Sequence, residues 1–187
     1  MTTKGNQHSS SMKIKSLLFN LLVFIPSTLS AVTFTDESEK FGLAGGNDAC
    51  WFDFNNDGWT DICAGGKVYR NEKGQKFVHV ADVGSSIAAD FNNDGFLDLY
   101  SWGSRKVYRN VEGKSFESID LPELPKGGSL GASWGDFNND GFPDLFVGNA
   151  IQSQLYKNNG NGTFSNITES AGFQVYCEKC YIAGALW

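Results

Sequence analysis

Three stretches of this 187-residue chain, 53–61, 90–98 and 136–144, share the pattern D-F-N-N-D-G-x-x-D. The spacing places side-chain oxygens at positions one, three, five and nine. These are Asp53, Asn55, Asp57 and Asp61 in the first copy, Asp90, Asn92, Asp94 and Asp98 in the second, and Asp136, Asn138, Asp140 and Asp144 in the third. Glycine at position six permits a sharp backbone turn, so alternate side chains can converge, and the main-chain carbonyl of position seven (Trp59, Phe96 or Phe142) can join them. A hard cation such as Ca²⁺ takes six to eight oxygens at roughly 2.3–2.6 Å from carboxylates, amides and carbonyls. Asn, Asp and Gly also make ordinary turns, but a turn does not require a carboxylate at both ends in three copies. The spacing therefore predicts about three bound Ca²⁺, with position nine closing each cage. An EF-hand would need a bidentate Glu at position twelve, where this chain has Ala64, Ser101 and Val147.

The loops must be held by something that repeats with them, and a period of about 40 residues is that of a propeller or solenoid. Each loop is followed by a short apolar run (Ile62 to Ala64, Leu99 to Ser101, Leu145 to Val147). Next come a Tyr-containing run ending in Asn71, Asn110 or Asn158, a glycine turn, and Phe77, Phe116 or Phe164. Short β-branched and aromatic runs bounded by Gly and Asn read as strands. Four are expected per repeat, lying before the loop, after it, around the Tyr and around the Phe. No segment of the mature chain has helical periodicity. The aromatic residues of the repeats are expected as packing between blades, among them Trp51 and Trp134, each two residues ahead of its loop.

The loops, the L-Y-x-N-x-G-x-G-x-F run from Leu155 to Phe164 and the T-E-x-A-G run from Thr168 to Gly172 resemble FG-GAP/VCBS repeats. The variety most similar is that of ASPIC/UnbV and cartilage-acidic-protein-like secreted proteins. The resemblance covers residues 32–187 and implies an all-β fold. It would be a β-propeller like the head of integrin α chains, with calcium held in hairpin loops at the blade edges. No ASPIC/UnbV region follows the repeats, and three four-stranded repeats are too few to close a ring. Partial blades are expected at both ends. Thr33-Phe34 followed by Gly42-Leu43 matches Thr163-Phe164 followed by Gly172-Phe173, so the mature chain would open on a fourth-type strand. Gly184 to Trp187 matches Gly131 to Trp134, so it would close on a first-type strand, as a truncated propeller.

Residues 1–30 contain Lys4, Lys13 and Lys15 and no acid. An apolar stretch from Leu17 to Ile25, too short to span a bilayer, is followed by small residues ending at Ser30. This is the pattern of a secretory signal peptide, leaving 31–187 as the repeat domain with no membrane span. The chain would be secreted or displayed at a cell surface, or periplasmic in a bacterium. The formal net charge of −6 comes largely from the loop aspartates and opposes nucleic-acid binding, which needs a basic face. Four cysteines in an exported chain favour disulfides. Cys50 and Cys63 flank the first loop on its two hairpin strands, near enough to pair if the register allows. Cys177 and Cys180 form a C-x-x-C with neither a βαβ context nor a second ligand pair, so a loop staple is expected.

The mature chain has one histidine, His79, in a strand-like run, and no nucleophile–base arrangement. Every notable acid pattern repeats, as structural groups do and catalytic groups need not. The expected function is a non-catalytic extracellular binding or adhesion module with a protein or glycan partner. The alternatives are the propeller portion of a larger secreted hydrolase or lyase whose catalytic residues lie elsewhere, and a structural spacer.

Overall fold

The structure is a computed structural model of the chain and describes residues 32–43, 46, 48–123, 128–149 and 151–172. The expected signal-peptide segment, Cys177, Cys180 and the expected closing strand before Trp187 lie outside these residues. The described chain is all β, with twelve strands in three four-stranded antiparallel sheets. Among the described residues no helix is long and apolar enough to cross a membrane.

Each sheet is one sequence repeat folded as a meander. Blade 1 comprises β1 (Ala49–Phe52), β2 (Asp61–Ala64), β3 (Lys67–Asn71) and β4 (Phe77–Asp82). Blade 2 comprises β5 (Ser86–Ala89), β6 (Asp98–Ser101), β7 (Lys106–Val111) and β8 (Ser115–Asp120). Blade 3 comprises β9 (Ser129–Gly135), β10 (Asp144–Asn149), β11 (Gln154–Asn158) and β12 (Phe164–Asn166). The four strands fall where the sequence places them, because most runs of apolar and β-branched residues end at turns rich in Gly and Asn. Asn56, Asn93 and Asn139 adopt φ of 56°, 58° and 56°, in the left-handed region that Asn enters more readily than most residues. The first strands lie side by side, β1 against β5 and β5 against β9, which stacks the blades as in a propeller.

The core lies between blades. One cluster joins blade 1 to blade 2 through Phe52, Phe54, Val68, Val83 and Leu99. A second joins blade 2 to blade 3 around Phe91, Tyr100, Leu145, Tyr156 and Phe164. Within these seams the position-two Phe of one loop meets the fourth-strand Phe of the next blade. Phe54 lies 5.7 Å from Phe116 and Phe91 lies 5.5 Å from Phe164, both tilted, an arrangement that adds to simple area burial.

The opening of the repeat region departs from expectation. Residues 32–35 form no strand, Phe34 is 94% exposed, and among the described residues no strand pairs with them. The turn that follows does match its counterpart. Phe41 donates to the Glu37 carbonyl and Gly42 to that of Glu39, as Ala171 does to Ile167 and Gly172 to Glu169. Phe41 and Leu43 then lie on the outer face of blade 1, against Phe77 and its neighbours. Trp51 also departs. Its counterpart Trp134 stacks on Phe91 in the second seam, whereas Trp51 is 61% exposed beside Phe77.

Candidate metal centres

The three loops fold alike because the same side chains bind the same backbone groups. In the first, Asp53 accepts from the backbone N–H of Asp57 at 3.2 Å and of Gly58 at 2.9 Å. Asn55 Oδ1 accepts from the N–H of Asp57 at 3.2 Å, and its Nδ2 donates to Asp57 Oδ2 at 2.9 Å. Asp57 Oδ1 in turn accepts from the N–H of Trp59 at 2.9 Å. The second loop repeats every bond through Asp90, Asn92, Asp94 and Phe96. The third does so through Asp136, Asn138, Asp140 and Phe142. Positions one, three and five are thus wrapped round one turn on each blade.

Position nine is used differently. Asp61, Asp98 and Asp144 are fully buried, and each carboxylate spans two backbone donors. Asp98 accepts from Phe91 N–H at 3.1 Å and from Asn110 N–H at 2.7 Å, fastening the start of its loop to the end of β7. Asp61 does the same for Phe54 and Asn71, and Asp144 for Phe137 and Asn158. Burial pushes all three carboxyls above the ordinary carboxylate range, that of Asp98 to about 7. The two hydrogen bonds oppose the shift; the charges at positions five and one add to it.

Among the described residues no three carboxylate, imidazole or thiol groups converge closely enough to form a ready-made cage. The donor set nevertheless fits a hard cation. Three carboxylates and an amide oxygen belong to each turn, and the carbonyls of Trp59, Phe96 and Phe142 accept no hydrogen bond among the described residues. Of the nine loop aspartates only Asp140 has a cationic partner there, Lys157 at 3.6 Å. Elsewhere the like charges of a loop face one another uncompensated.

Two sets of asparagines carry weight that sequence reasoning had not assigned. Asn110 is buried, and its Nδ2 donates to the Phe54 carbonyl in blade 1 at 2.7 Å and to its own blade's Leu97 carbonyl at 3.0 Å. Its Oδ1 accepts from Gly113 N–H at 2.8 Å. Asn158 repeats this toward Phe91, Pro143 and Gly160. In the opposite direction, position-four Asn56 donates to the Gly95 carbonyl and Asn93 to that of Gly141, both at 2.8 Å. The signal was present, since these asparagines recur in every copy, but the reach across blades was not visible in the sequence.

Cys50 and Cys63 are direct Cα partners across β1 and β2. Both are thiols in this structure, Cys63 buried and Cys50 half-buried. Their mutual hydrogen bond raises the Cys63 thiol well above its usual range and lowers that of Cys50. His79 lies in β4 beside Tyr69 and Asp82.

Fold and loops together define a propeller-type repeat protein whose blade-edge turns gather acidic oxygens. The model of the FG-GAP-like repeat matches the chain three times, over residues 53–101, 90–147 and 136–175, and the chain belongs to this family. No curated protein and no solved structure is similar enough to register as a match. Repeats of this kind serve as binding or adhesion modules.

Proposed function

We propose that the chain is a secreted, non-catalytic module for extracellular binding or adhesion whose blades are set by Ca²⁺ in the three loops. The carrying observation is the threefold recurrence of one acidic turn with the same internal hydrogen bonds and, in loops one and two, no cation among the described residues to balance it. Asp53, Asn55, Asp57 and Asp61, with the Trp59 carbonyl, would hold the first ion, and the equivalent sets from Asp90 and Asp136 the other two. Calcium would supply charge neutralisation and a fixed loop shape. The residues themselves supply the turn, through the backbone bonds of positions one, three and five. Such a module would present a protein or glycan partner with ordered blade-edge loops.

Differential scanning calorimetry of the exported protein tests this. Binding to the folded state alone stabilises by about 2.7 kcal/mol per site at a hundredfold excess over Kd. The melting temperature should therefore rise in millimolar calcium and fall back with chelator. An unchanged melt removes the calcium reading.

A further inference from the structure

The turn between β11 and β12 differs in chemistry from the matching turns of the other blades. Asn161-Gly162-Thr163 is an Asn-x-Thr triplet, the sequence that accepts an N-linked glycan when x is not proline. Asn166-Ile167-Thr168, where β12 ends, is a second, and both belong to blade 3. The corresponding turns of blade 1, Asn71 to Phe77, and of blade 2, Asn110 to Phe116, hold Glu and Lys and no such triplet.

The fold treats the two triplets differently. Asn161 and Thr163 are exposed in a turn that the Asn159 N–H closes on the Thr163 carbonyl at 3.0 Å. Asn161 Oδ1 accepts from the Thr163 hydroxyl at 2.6 Å and from its N–H at 3.1 Å, so carboxamide and hydroxyl already act as one unit. The Asn161 Nδ2, the atom to which a sugar is joined, makes no hydrogen bond among the described residues. A Cβ on the neighbouring Gly162 would meet nothing within 4 Å. Asn166 makes the same two bonds with Thr168, but Thr168 is buried. The Asn166 Nδ2 is already committed to Oε1 of Gln154, which is buried too. A sugar on Asn166 would displace that donor against a closed surface, whereas one on Asn161 projects into solvent.

We propose that Asn161 carries an N-linked glycan and that Asn166 does not. The inference rests on the secretion reading, since an exported chain is the one that meets an oligosaccharyltransferase and its lipid-linked oligosaccharyl diphosphate. In the transfer Nδ2 of Asn161 bonds to the anomeric carbon of the first sugar. The bond from that carbon to the diphosphate oxygen breaks, the lipid diphosphate leaves with the electron pair, and Nδ2 gives one proton to a base of the transferase. The product is a bulky, solubilising group on a surface turn. Its place bears on partner binding. A Cβ on Gly160 would lie 2.9 Å from the Phe142 ring, so this turn sits directly beside the acidic loop 136–144. A partner approaching the blade-edge loops would meet a sugar at blade 3 and bare protein at blades 1 and 2.

The test is expression of the full chain in a eukaryotic secretory host, once with residues 1–30 and once with a leader of known function in their place. Intact mass is then measured before and after peptide N-glycosidase. The exported protein should lose the mass of one glycan. Asn161→Gln and Thr163→Ala should each abolish that loss, Thr163→Ser should keep it, and Asn166→Gln should leave it unchanged. Circular dichroism verifies that each variant folds. An exported protein with no glycosidase-sensitive mass, or a glycan that survives Asn161→Gln and is lost in Asn166→Gln, overturns the proposal. Export behind the borrowed leader alone overturns the secretion reading instead, while a glycan at Asn161 in that protein supports Asn161 as the acceptor.

Discussion

The side-chain amide of Asn110 donates to the carbonyl of Phe54, 56 residues earlier, and so ties the end of β7 to the acidic loop of the blade before it. Asn158 does the same to Phe91. Loop shape and blade stacking therefore share the same atoms. A loop that loses its turn also loses the carbonyl on which the next blade is hung.

Replacing Asn110 or Asn158 by Ala should destabilise the protein strongly. Two carbonyls lose their donor and Gly113 or Gly160 loses its acceptor, at about 1–3 kcal/mol for each buried group left unsatisfied. Asn71→Ala, with one carbonyl partner in its own blade, should cost less. Urea denaturation of the three variants gives the order directly, and equal losses would show that the inter-blade bond contributes nothing.

Gly113→Ala should be the costlier of two matched glycine changes. Gly113 and Gly74 both have positive φ, 67° and 73°, so the strain of a side chain is shared. Only at Gly113 does the new Cβ strike the backbone of Asn55, at 2.7 Å. Melting temperatures of the two variants should differ, with Gly113→Ala lower.

Much of this architecture was legible in the chain before folding. Strand positions followed from apolar runs between Gly and Asn turns, and the acidic turns from nine residues of fixed type. Asn110 was not legible as a link between blades, since Asn after a strand reads as turn chemistry and its partner is remote in sequence. Nor was the double use of Asp98, whose carboxylate is spent on two backbone donors as well as lying near positions one and five. Phe34 shares the local pattern of Phe164, but a strand needs a partner, and among the described residues none lies beside it.

The pH dependence of stability should change sign with metal. In chelator, the carboxyl of Asp98 has a folded pKa of about 7, above the unfolded value of about 3.9. It binds its proton more tightly when folded, so it adds stability that is complete below about pH 4 and lost as pH rises through about 7. Asp61 and Asp144 act in the same direction. In saturating calcium the charged forms are favoured, and stability should instead rise over that window. Chemical denaturation at a series of pH values in the two conditions measures both slopes. Parallel slopes would separate these carboxyls from the metal.

In an oxidising compartment Cys50 and Cys63 should be joined, and Cys177 with Cys180. The first pair already stands opposite in register, so the bridge needs no strand shift, and its short loop limits the gain to about 2–3 kcal/mol in the chain-entropy model. Alkylation without reductant followed by mass spectrometry should find none of the four thiols modified. Alkylated Cys50 and Cys63 would show the first bridge absent.

Isothermal titration of Ca²⁺ into the chelator-treated protein counts the sites. The predicted stoichiometry is about three ions per chain, falling by one in Asp94→Ala, with loops 53–61 and 136–144 still binding. A wild type that takes up no calcium, or an Asp94→Ala variant with unchanged stoichiometry, would contradict the assignment of the loops as metal centres.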